Sequence, residues 1–191
     1  NKVNLTKKEK CVILGKVLSK NEYNKIRRRK MIFGKFKAKK VENYNICSPI
    51  KGNVIDITKT NDPLFKEEAL GKGVGIIAEE NTLVSPVNGV IKTFFPTKHA
   101  IGITTDDGVD ILIHVGIDTV ELNGKYFNAL KEQGDKVKQG DKLLEVDFDG
   151  VKESGYDATV LFVVTNSQEY SSVKSCEGTK TITDTIIEIH K

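Results

Sequence analysis

The sequence predicts an all-β protein, built as an antiparallel β-sandwich or barrel, on three observations. Short apolar runs of strand length alternate with Gly, Asn and Asp turn residues from Ile46 onward in the 191-residue chain. Dipeptides such as Asp107-Gly108 and Asn123-Gly124 mark tight turns between these runs. Helical periodicity is scarce, so only short helical turns are expected, in "KYFNALKEQG" and "DGVKESG". Many short strands with regular turns are typical of sandwiches and barrels.

The predicted strands are short segments that are rich in β-branched residues. They are "GNVIDIT", "GVGIIAE", "TLVSPVNGVIKTFF", "AIGITT", "VDILIHVGI", "KLLEVD", "TVLFVVT" and "TIIEIH".

The sequence contains a short internal repeat. The motif Ser-Pro-[Ile/Val]-x-Gly-x-[Val/Ile] runs from Ser48 to Val54 and again from Ser85 to Ile91. Each copy places proline at a strand start, where its missing N–H matters little, and glycine where the backbone must bend. The repeat predicts internal duplication of a small β-unit.

The charge divides the chain into two parts. Residues 1–46 contain 15 Lys or Arg and 3 Asp or Glu, whereas residues 47–191 contain 15 and 23. We therefore predict a domain at residues 46–191, preceded at residues 1–45 by a basic leader, a linker or upstream read-through. The overall pI of about 8.8 describes neither part, so nucleic-acid binding is not predicted.

The only methionine lies inside the basic segment. Met31 begins "MIFGKFKAKK" and would make a natural start. This stretch interleaves apolar residues with lysines, so at most a weak association with an anionic membrane is expected.

Apolar runs, signal-peptide patterns and cysteine spacing bear on the cellular location. No apolar run approaches the roughly 18 residues of a membrane span, and no signal-peptide pattern is present. Cys11, Cys47 and Cys176 are far apart and form no Cys-x-x-Cys pair, so neither a disulfide framework nor a zinc knuckle is indicated. A cytoplasmic location is the expectation.

The segment "DGVDILIHVGIDTV" contains His114 among apolar residues, and a strand separates its side chains onto two faces. One face carries only β-branched apolar residues: Val109, Ile111, Ile113, Val115 and Ile117. The other face carries Asp110, Leu112, His114, Gly116 and Asp118. His114 is therefore predicted to lie outside the main core row.

A second histidine, His99, is predicted to meet His114 across a hairpin. A two-residue turn at Asp106-Asp107 places the two directly opposite each other, and one at Asp107-Gly108 places them diagonally on one face. A three-residue loop would put them on opposite faces. The two-residue turns also place Thr97, Ile101, Leu112 and Gly116 on the histidine face.

Three chemistries suit this pair. A hydrolytic zinc site needs about three protein ligands; His99, His114 and Asp118 are candidates, but four strand residues separate the last two by about 13 Å. A swinging-arm carrier is suggested by "QGDKVKQGDKLLEVD", but such a domain needs a modified lysine within a motif that is missing here.

The third chemistry is phosphoryl transfer through a histidine. A neutral imidazole is a good nucleophile at pH 7 and forms a labile N–P bond. The second imidazole can donate a hydrogen bond to the phosphoryl oxygens while Thr97 fixes its tautomer. An apolar rim would limit hydrolysis and give a docking surface for proteins.

The segment "DGVDILIHVGIDTVELNGKYF" resembles the phosphorylation-site signature of glucose-type enzyme IIA of the bacterial sugar phosphotransferase system. The resemblance extends through "SPIKGNV", "SPVNGVI", "PTKHAIGI" and "GDKVKQGDKLLEVD" and covers roughly residues 46–190. It implies an antiparallel β-sandwich with internal duplication, similar to the duplicated hybrid motif. It also implies a phosphotransferase component that takes a phosphoryl group from phospho-HPr and passes it to a cysteine of an enzyme IIB domain.

The resemblance also implies roles for individual residues. His114 aligns with the phosphoacceptor, modified on Nε2, while His99 aligns with the supporting histidine and Thr97 with its hydrogen-bonding partner. Asp118 aligns with a signature acid that is expected to set the loop structure near the site and to belong to the partner-binding surface. The apolar docking rim is expected to include Phe65, Phe95 and Leu112, the last in place of a common phenylalanine. Ile101, which strand alternation places on the histidine face, is added to this rim.

Further partners are implied only by the resemblance. Relatives bind regulated transporters or kinases according to their phosphorylation state. No cofactor is required, although in some relatives the two histidines, here His99 and His114, share a zinc ion at a partner interface.

Overall fold

The computed structural model describes residues 43–191 and, nearer the N-terminus, two short strands. The chain divides into two compact units, residues 1–37 and 38–191. In the first unit, β1 (Cys11–Ile13) pairs with β2 (Lys16–Leu18) in antiparallel fashion. The expectations for the basic segment, including a start at Met31, otherwise fall outside the described residues. Among those residues, no helix is long and apolar enough to cross a membrane.

The second unit confirms the predicted all-β class. Its strands are β3 (Asn43–Cys47), β4 (Gly52–Asp56), β5 (Lys72–Ala78), β6 (Thr82–Val84), β7 (Gly89–Phe94), β8 (Ala100–Thr105), β9 (Asp110–Val115), β10 (Phe127–Ala129), β11 (Lys136–Val137), β12 (Lys142–Val146), β13 (Val160–Val164), β14 (Ser172–Ser175), β15 (Gly178–Lys180) and β16 (Thr185–His190). The predicted boundary at residues 45 and 46 falls inside β3.

Among the described residues, helical structure is limited to short turns. They are α1 (Pro63–Lys66), α2 (Phe148–Glu153) and the 3₁₀ turns η1 (Ile57–Lys59), η2 (Thr119–Leu122) and η3 (Ser167–Glu169). The helical turn expected in "DGVKESG" is confirmed by α2. The one expected in "KYFNALKEQG" is wrong, because strand β10 occupies its first half.

An open antiparallel sheet of eight strands forms the centre of this unit. Its strand order is β11-β7-β8-β9-β13-β5-β4-β15, and β10-β12-β6 and β14-β16-β3 form two smaller sheets. Strand β9 lies between β8 and β13, with His114 opposite Ala100 on one side and Leu161 on the other. His114 is thus placed in the middle of the large sheet.

Strand β13 is buried on both faces. Its Val160 and Phe162 belong to the main core, whereas Leu161 and Val163 form a second cluster with Ile57 and Phe65. The continuous apolar run "VLFVV" is typical of such a strand. Because Leu161 is paired with His114, His114 lies on the outer face of the large sheet, beside the second cluster.

The two copies of the repeated motif adopt the same local structure. The Ser48 hydroxyl donates to the Ile50 carbonyl at 2.6 Å, and the Ser85 hydroxyl donates to the Val87 carbonyl at 2.7 Å. Strands β4 and β7 begin at the two motif glycines. A Cβ at either glycine would lie within 2.3 Å of a carbonyl oxygen on the neighbouring strand. This equivalence is what the predicted duplication requires.

Candidate functional site

The hairpin between β8 and β9 has a three-residue loop, so the predicted two-residue turn is wrong. The Thr105 amide donates to the Val109 carbonyl at 2.9 Å, and the Gly108 amide donates to the Thr105 carbonyl at 3.1 Å. Gly108 has a φ of 87°, the left-handed residue that commonly closes three-residue hairpins. Ala100, rather than His99, consequently lies opposite His114.

The two imidazoles nevertheless meet. Their ring centroids are 4.8 Å apart, and the ring planes are inclined at 82°. His99 precedes β8, and Lys98 before it has a φ of 59°. Strand alternation therefore does not extend to His99, and the predicted proximity is confirmed for a different geometric reason.

His99 is held by neighbours on three sides. Its Nδ1 is 2.7 Å from the Thr97 hydroxyl, and its carbonyl accepts a hydrogen bond from the Val115 amide at 2.7 Å. The Phe95 ring lies 5.4 Å from the His99 ring between centroids. Only 4% of His99 is exposed. The predicted contact of Thr97 with His99 is thus present.

One ring nitrogen of His114 is sheltered within the protein. Its Nδ1 is buried and has no hydrogen-bond partner of normal geometry in the described part of the chain. The side chain as a whole is half-buried, and the Phe65 ring lies 5.4 Å away between centroids. A partner molecule therefore cannot reach Nδ1.

Burial keeps both imidazoles neutral at pH 7. It lowers the pKa of His99 to about 4. Burial, together with the nearby His99, lowers the pKa of His114 to about 3, while the Gly116 backbone carbonyl acts in the opposite direction. Neutral imidazoles have the free lone pair that nucleophilic attack requires.

These pKa values predict a loss of stability in acid. Unfolded histidines have a pKa of about 6.5, so the unfolded state gains protons first as the pH falls from about 7 towards 4. We expect the free energy of unfolding of the wild type to fall further, between pH 7.5 and 5, than that of His99→Gln/His114→Gln. Urea denaturation at both pH values measures this. Equal pH dependence of wild type and variant would contradict the depressed pKa values.

Gly116 ends the histidine strand. It has a φ of 76°, and a Cβ there would lie 2.4 Å from Thr119 Cγ2 and 2.8 Å from the Asp157 carbonyl oxygen. The buried Thr119 hydroxyl donates to the Val115 carbonyl and holds this turn. Because the chain turns here, Ile117 packs on the second cluster, and its predicted place in the main core row is wrong.

The four apolar residues predicted for the rim lie in different environments. Phe95 and Leu112 are half-buried beside the histidines, while Phe65 is only 3% exposed and forms a wall against His114. Ile101 is fully buried in the main core opposite Ile113, so its predicted place in the rim is wrong. The prediction used strand alternation to place Ile101 on the same face as His99, but His99 lies outside the regular strand.

Two acids lie near this face. Asp118 is exposed and has a φ of 57°. Asp62 begins α1 by accepting hydrogen bonds from the Leu64 and Phe65 amides at 2.8 and 3.3 Å. Burial, and to a lesser extent the charge of Asp118, raises the pKa of Asp62. Asp62 was not singled out from the sequence, although Asp before Pro63 is a typical helix start.

A three-ligand metal site is not formed by the described side chains. Within residues 43–191 no three His, Cys, Asp or Glu side chains group closely enough to hold a metal ion. The hydrolytic zinc alternative therefore lacks its third ligand. His99 and His114 alone can offer two imidazoles to a metal.

A family model, a related protein and a solved structure all match this chain and agree with one another. Residues 44–170 match the sequence model of the phosphoenolpyruvate-dependent sugar phosphotransferase system EIIA 1 family. A glucose-specific EIIA component of Staphylococcus epidermidis is 38% identical over 145 residues, which cover 75% of this chain and 86% of that protein. The glucose permease IIA of Mycoplasma capricolum superimposes with a TM-score of 0.70 at 33% identity, covering 78% of this chain and 96% of that one.

Other relatives are much longer. A beta-glucoside-specific EIIBCA component of Bacillus subtilis is 48% identical over 126 residues, 66% of this chain but only 21% of that protein. The matching region thus spans about a fifth of the EIIBCA relative and most of the EIIA component.

Proposed function

Because this chain belongs to the EIIA 1 family of the phosphoenolpyruvate-dependent sugar phosphotransferase system, we propose that it takes a phosphoryl group from phospho-HPr on His114 and passes it to a cysteine of an enzyme IIB domain during sugar uptake. The observation that carries this proposal is the pair of neutral imidazoles 4.8 Å apart on one face of the sheet. The chain is a phosphotransferase component of the sugar phosphotransferase system.

His114 is the nucleophile, and Nε2 is its reacting atom, because Nδ1 is buried. The Nε2 lone pair attacks the phosphorus of phospho-HPr, the N–P bond of the donor breaks, and the donor nitrogen recovers its lone pair. No proton has to move while each ring keeps the hydrogen on its other nitrogen. The Gly116 carbonyl favours the charged form of the His114 ring and so stabilises the phosphorylated state.

His99 stabilises the transferring group. A hydrogen bond to the phosphoryl oxygens requires the tautomer with hydrogen on Nε2, in which Nδ1 is an acceptor. The Thr97 hydroxyl, 2.7 Å from Nδ1, then donates to it and holds this tautomer. Such a fixed donor aimed at developing charge is an efficient form of catalysis.

We expect Thr97→Val to slow transfer from His114 to enzyme IIB by about 3- to 10-fold, the contribution of one neutral hydrogen bond. The His99 ring would lose the donor that fixes its tautomer. Rapid-quench measurement of phosphoryl transfer tests this, with Thr97→Ser as the control that keeps the hydroxyl. Equal rates for Thr97→Val and wild type would remove Thr97 from the mechanism.

The surface around the histidines suits protein partners. Phe95 and Leu112 offer half-buried apolar surface beside the rings, and Asp118 offers an exposed negative charge. HPr and the IIB domain would dock here in turn, on a domain that carries a net negative charge over residues 47–191. Regulated transporters or kinases can read the phosphorylation state at the same surface. The setting proposed for these encounters is the cytoplasm.

No resident cofactor is required by this mechanism. Zinc prefers about four ligands, so a zinc ion on His99 and His114 would need the remaining ligands from a partner. Such a shared ion would occupy a ring nitrogen of His114 and would therefore compete with phosphorylation.

Incubation with phosphoenolpyruvate, enzyme I and HPr tests the proposal. The chain is expected to gain one phosphoryl group and to lose it when an enzyme IIB domain is added. A module that only binds partners would gain none, and that result would refute phosphoryl transfer as its function.

A further inference from the structure

We propose that Lys98 is a positioning residue for phosphoryl transfer, because its left-handed backbone, and not its charge, directs the His99 ring towards His114. This inference rests on the proposed function. It concerns a residue that touches neither the phosphoryl group nor the reacting nitrogen.

The first step is the register of the hairpin. The Val115 amide donates to the His99 carbonyl, so Val115 is the residue that faces His99 across the ladder. Val115 is fully buried in the main core, on the inner face of the sheet. A regular extension of β8 would share that face and would send the His99 ring away from His114.

The second step is the loop that precedes β8. The Phe95 amide donates to the Ala100 carbonyl at 3.1 Å, and the Lys98 amide donates to the Phe95 carbonyl at 2.7 Å. These bonds enclose Pro96 to His99, with Lys98 in the left-handed region at a φ of 59°. The left-handed residue reverses the chain direction immediately before His99, so His99 does not follow the strand alternation.

The third step is the contact that this turn creates. Thr97 and His99 flank Lys98, and the 2.7 Å contact between the Thr97 hydroxyl and His99 Nδ1 spans it. A change of φ at Lys98 would therefore separate the hydroxyl from the ring and also move the ring from its place 4.8 Å from His114. The phosphoryl-stabilising geometry depends on one backbone angle.

The Lys98 ammonium makes a weaker contribution. It lies 3.5 Å from the Phe127 carbonyl, a long hydrogen bond for a charged donor. Apart from Asn and Asp, residues with a Cβ seldom adopt the left-handed region, so the lysine at this position is under strain.

Three substitutions separate backbone from charge. Lys98→Gly, Lys98→Asn and Lys98→Val all remove the ammonium, but only valine strongly disfavours a positive φ. We expect the Gly and Asn variants to transfer phosphate to enzyme IIB within about twofold of wild type, and Lys98→Val to be slower by about 10- to 100-fold, as a small misplacement of a catalytic group would cause. The change should appear in kcat rather than in KM, because the docking surface is intact.

A second measurement is independent of transfer. In ¹⁵N correlation spectra of the imidazoles, Lys98→Val is expected to shift the His99 nitrogens, whereas Lys98→Gly is expected to leave them in place. Where Lys98→Val fails to fold, Lys98→Ala replaces it and the same order of effects is expected.

Equal loss in all three variants would assign the effect to the ammonium and overturn the proposal. An unchanged His99 spectrum in Lys98→Val would also overturn it. Failure of the wild type to become phosphorylated would instead refute the proposed function, while the spectra would still test the positioning.

Discussion

We expect His114→Ala to take up no phosphoryl group from phospho-HPr. His114 Nε2 is the nucleophile of the proposed reaction, and alanine offers no atom that forms an N–P bond. The neighbouring His99 does not substitute for it, because His99 is only 4% exposed and its Nδ1 is engaged by Thr97. Intact-protein mass spectrometry after incubation with phosphoenolpyruvate, enzyme I and HPr measures the uptake.

The chain offers a matched control for this experiment in His190→Ala. His190 is the third histidine of the chain, and its Nδ1 is paired with the Asn43 side chain at 2.7 Å in a separate three-stranded sheet. The His190→Ala protein should be phosphorylated like the wild type. Phosphate on His114→Ala at the wild-type level would refute the assignment of the acceptor.

We expect His99→Ala to be phosphorylated on His114 but to pass the phosphoryl group to enzyme IIB about 10²-fold more slowly, as when one donor to a developing charge is removed. The His99 ring lies 4.8 Å from that of His114, and in the proposed mechanism it supplies the hydrogen bond to the phosphoryl oxygens. His114 keeps its own nucleophilic nitrogen, so the first transfer is affected less than the second.

Single-turnover transfer from the phosphorylated chain to an enzyme IIB domain measures this effect. His99→Gln is the informative control, because its amide N–H can reach part of the same space, and partial recovery is expected. Onward transfer by His99→Ala at the wild-type rate would contradict the supporting role of His99.

The sequence predicted the fold class and the central strand well because both depend on regular alternation. Val109, Ile111, Ile113 and Val115 are buried in the main core as expected, and His114 lies on the other face. Period-two patterning is a direct consequence of strand geometry, so it holds wherever the strand is regular.

The same reasoning failed where the strands end. The predicted register assumed a two-residue turn, but Gly108 in the left-handed region closes a three-residue loop. With regular strands on both sides, this one-residue change of register would place the two histidines on opposite faces of the sheet. The left-handed turn at Lys98 brings them together again, and the sequence gives no signal for it, because lysine is not typical of that conformation.

Two apolar residues were misplaced for the same reason. Ile101 was assigned to the face of His99, which follows the left-handed Lys98 and lies outside the regular strand, and Ile117 was assigned to the face of Val115, across the left-handed Gly116. Each lies on the face opposite to the predicted one. The burial of Phe65 was also unforeseen, since it depends on how the segment between β4 and β5 packs over β13, a contact between residues distant in sequence.

The location of the phosphoryl group tests the central claim most directly. Trypsin cleaves after Lys98 and Lys125, so one peptide contains both His99 and His114. Fragmentation of this peptide from the phosphorylated protein, kept at alkaline pH to preserve the N–P bond, distinguishes the two sites. We expect the phosphoryl group on His114 and an unmodified His99. A phosphoryl group on His99, or outside this peptide, would contradict the account.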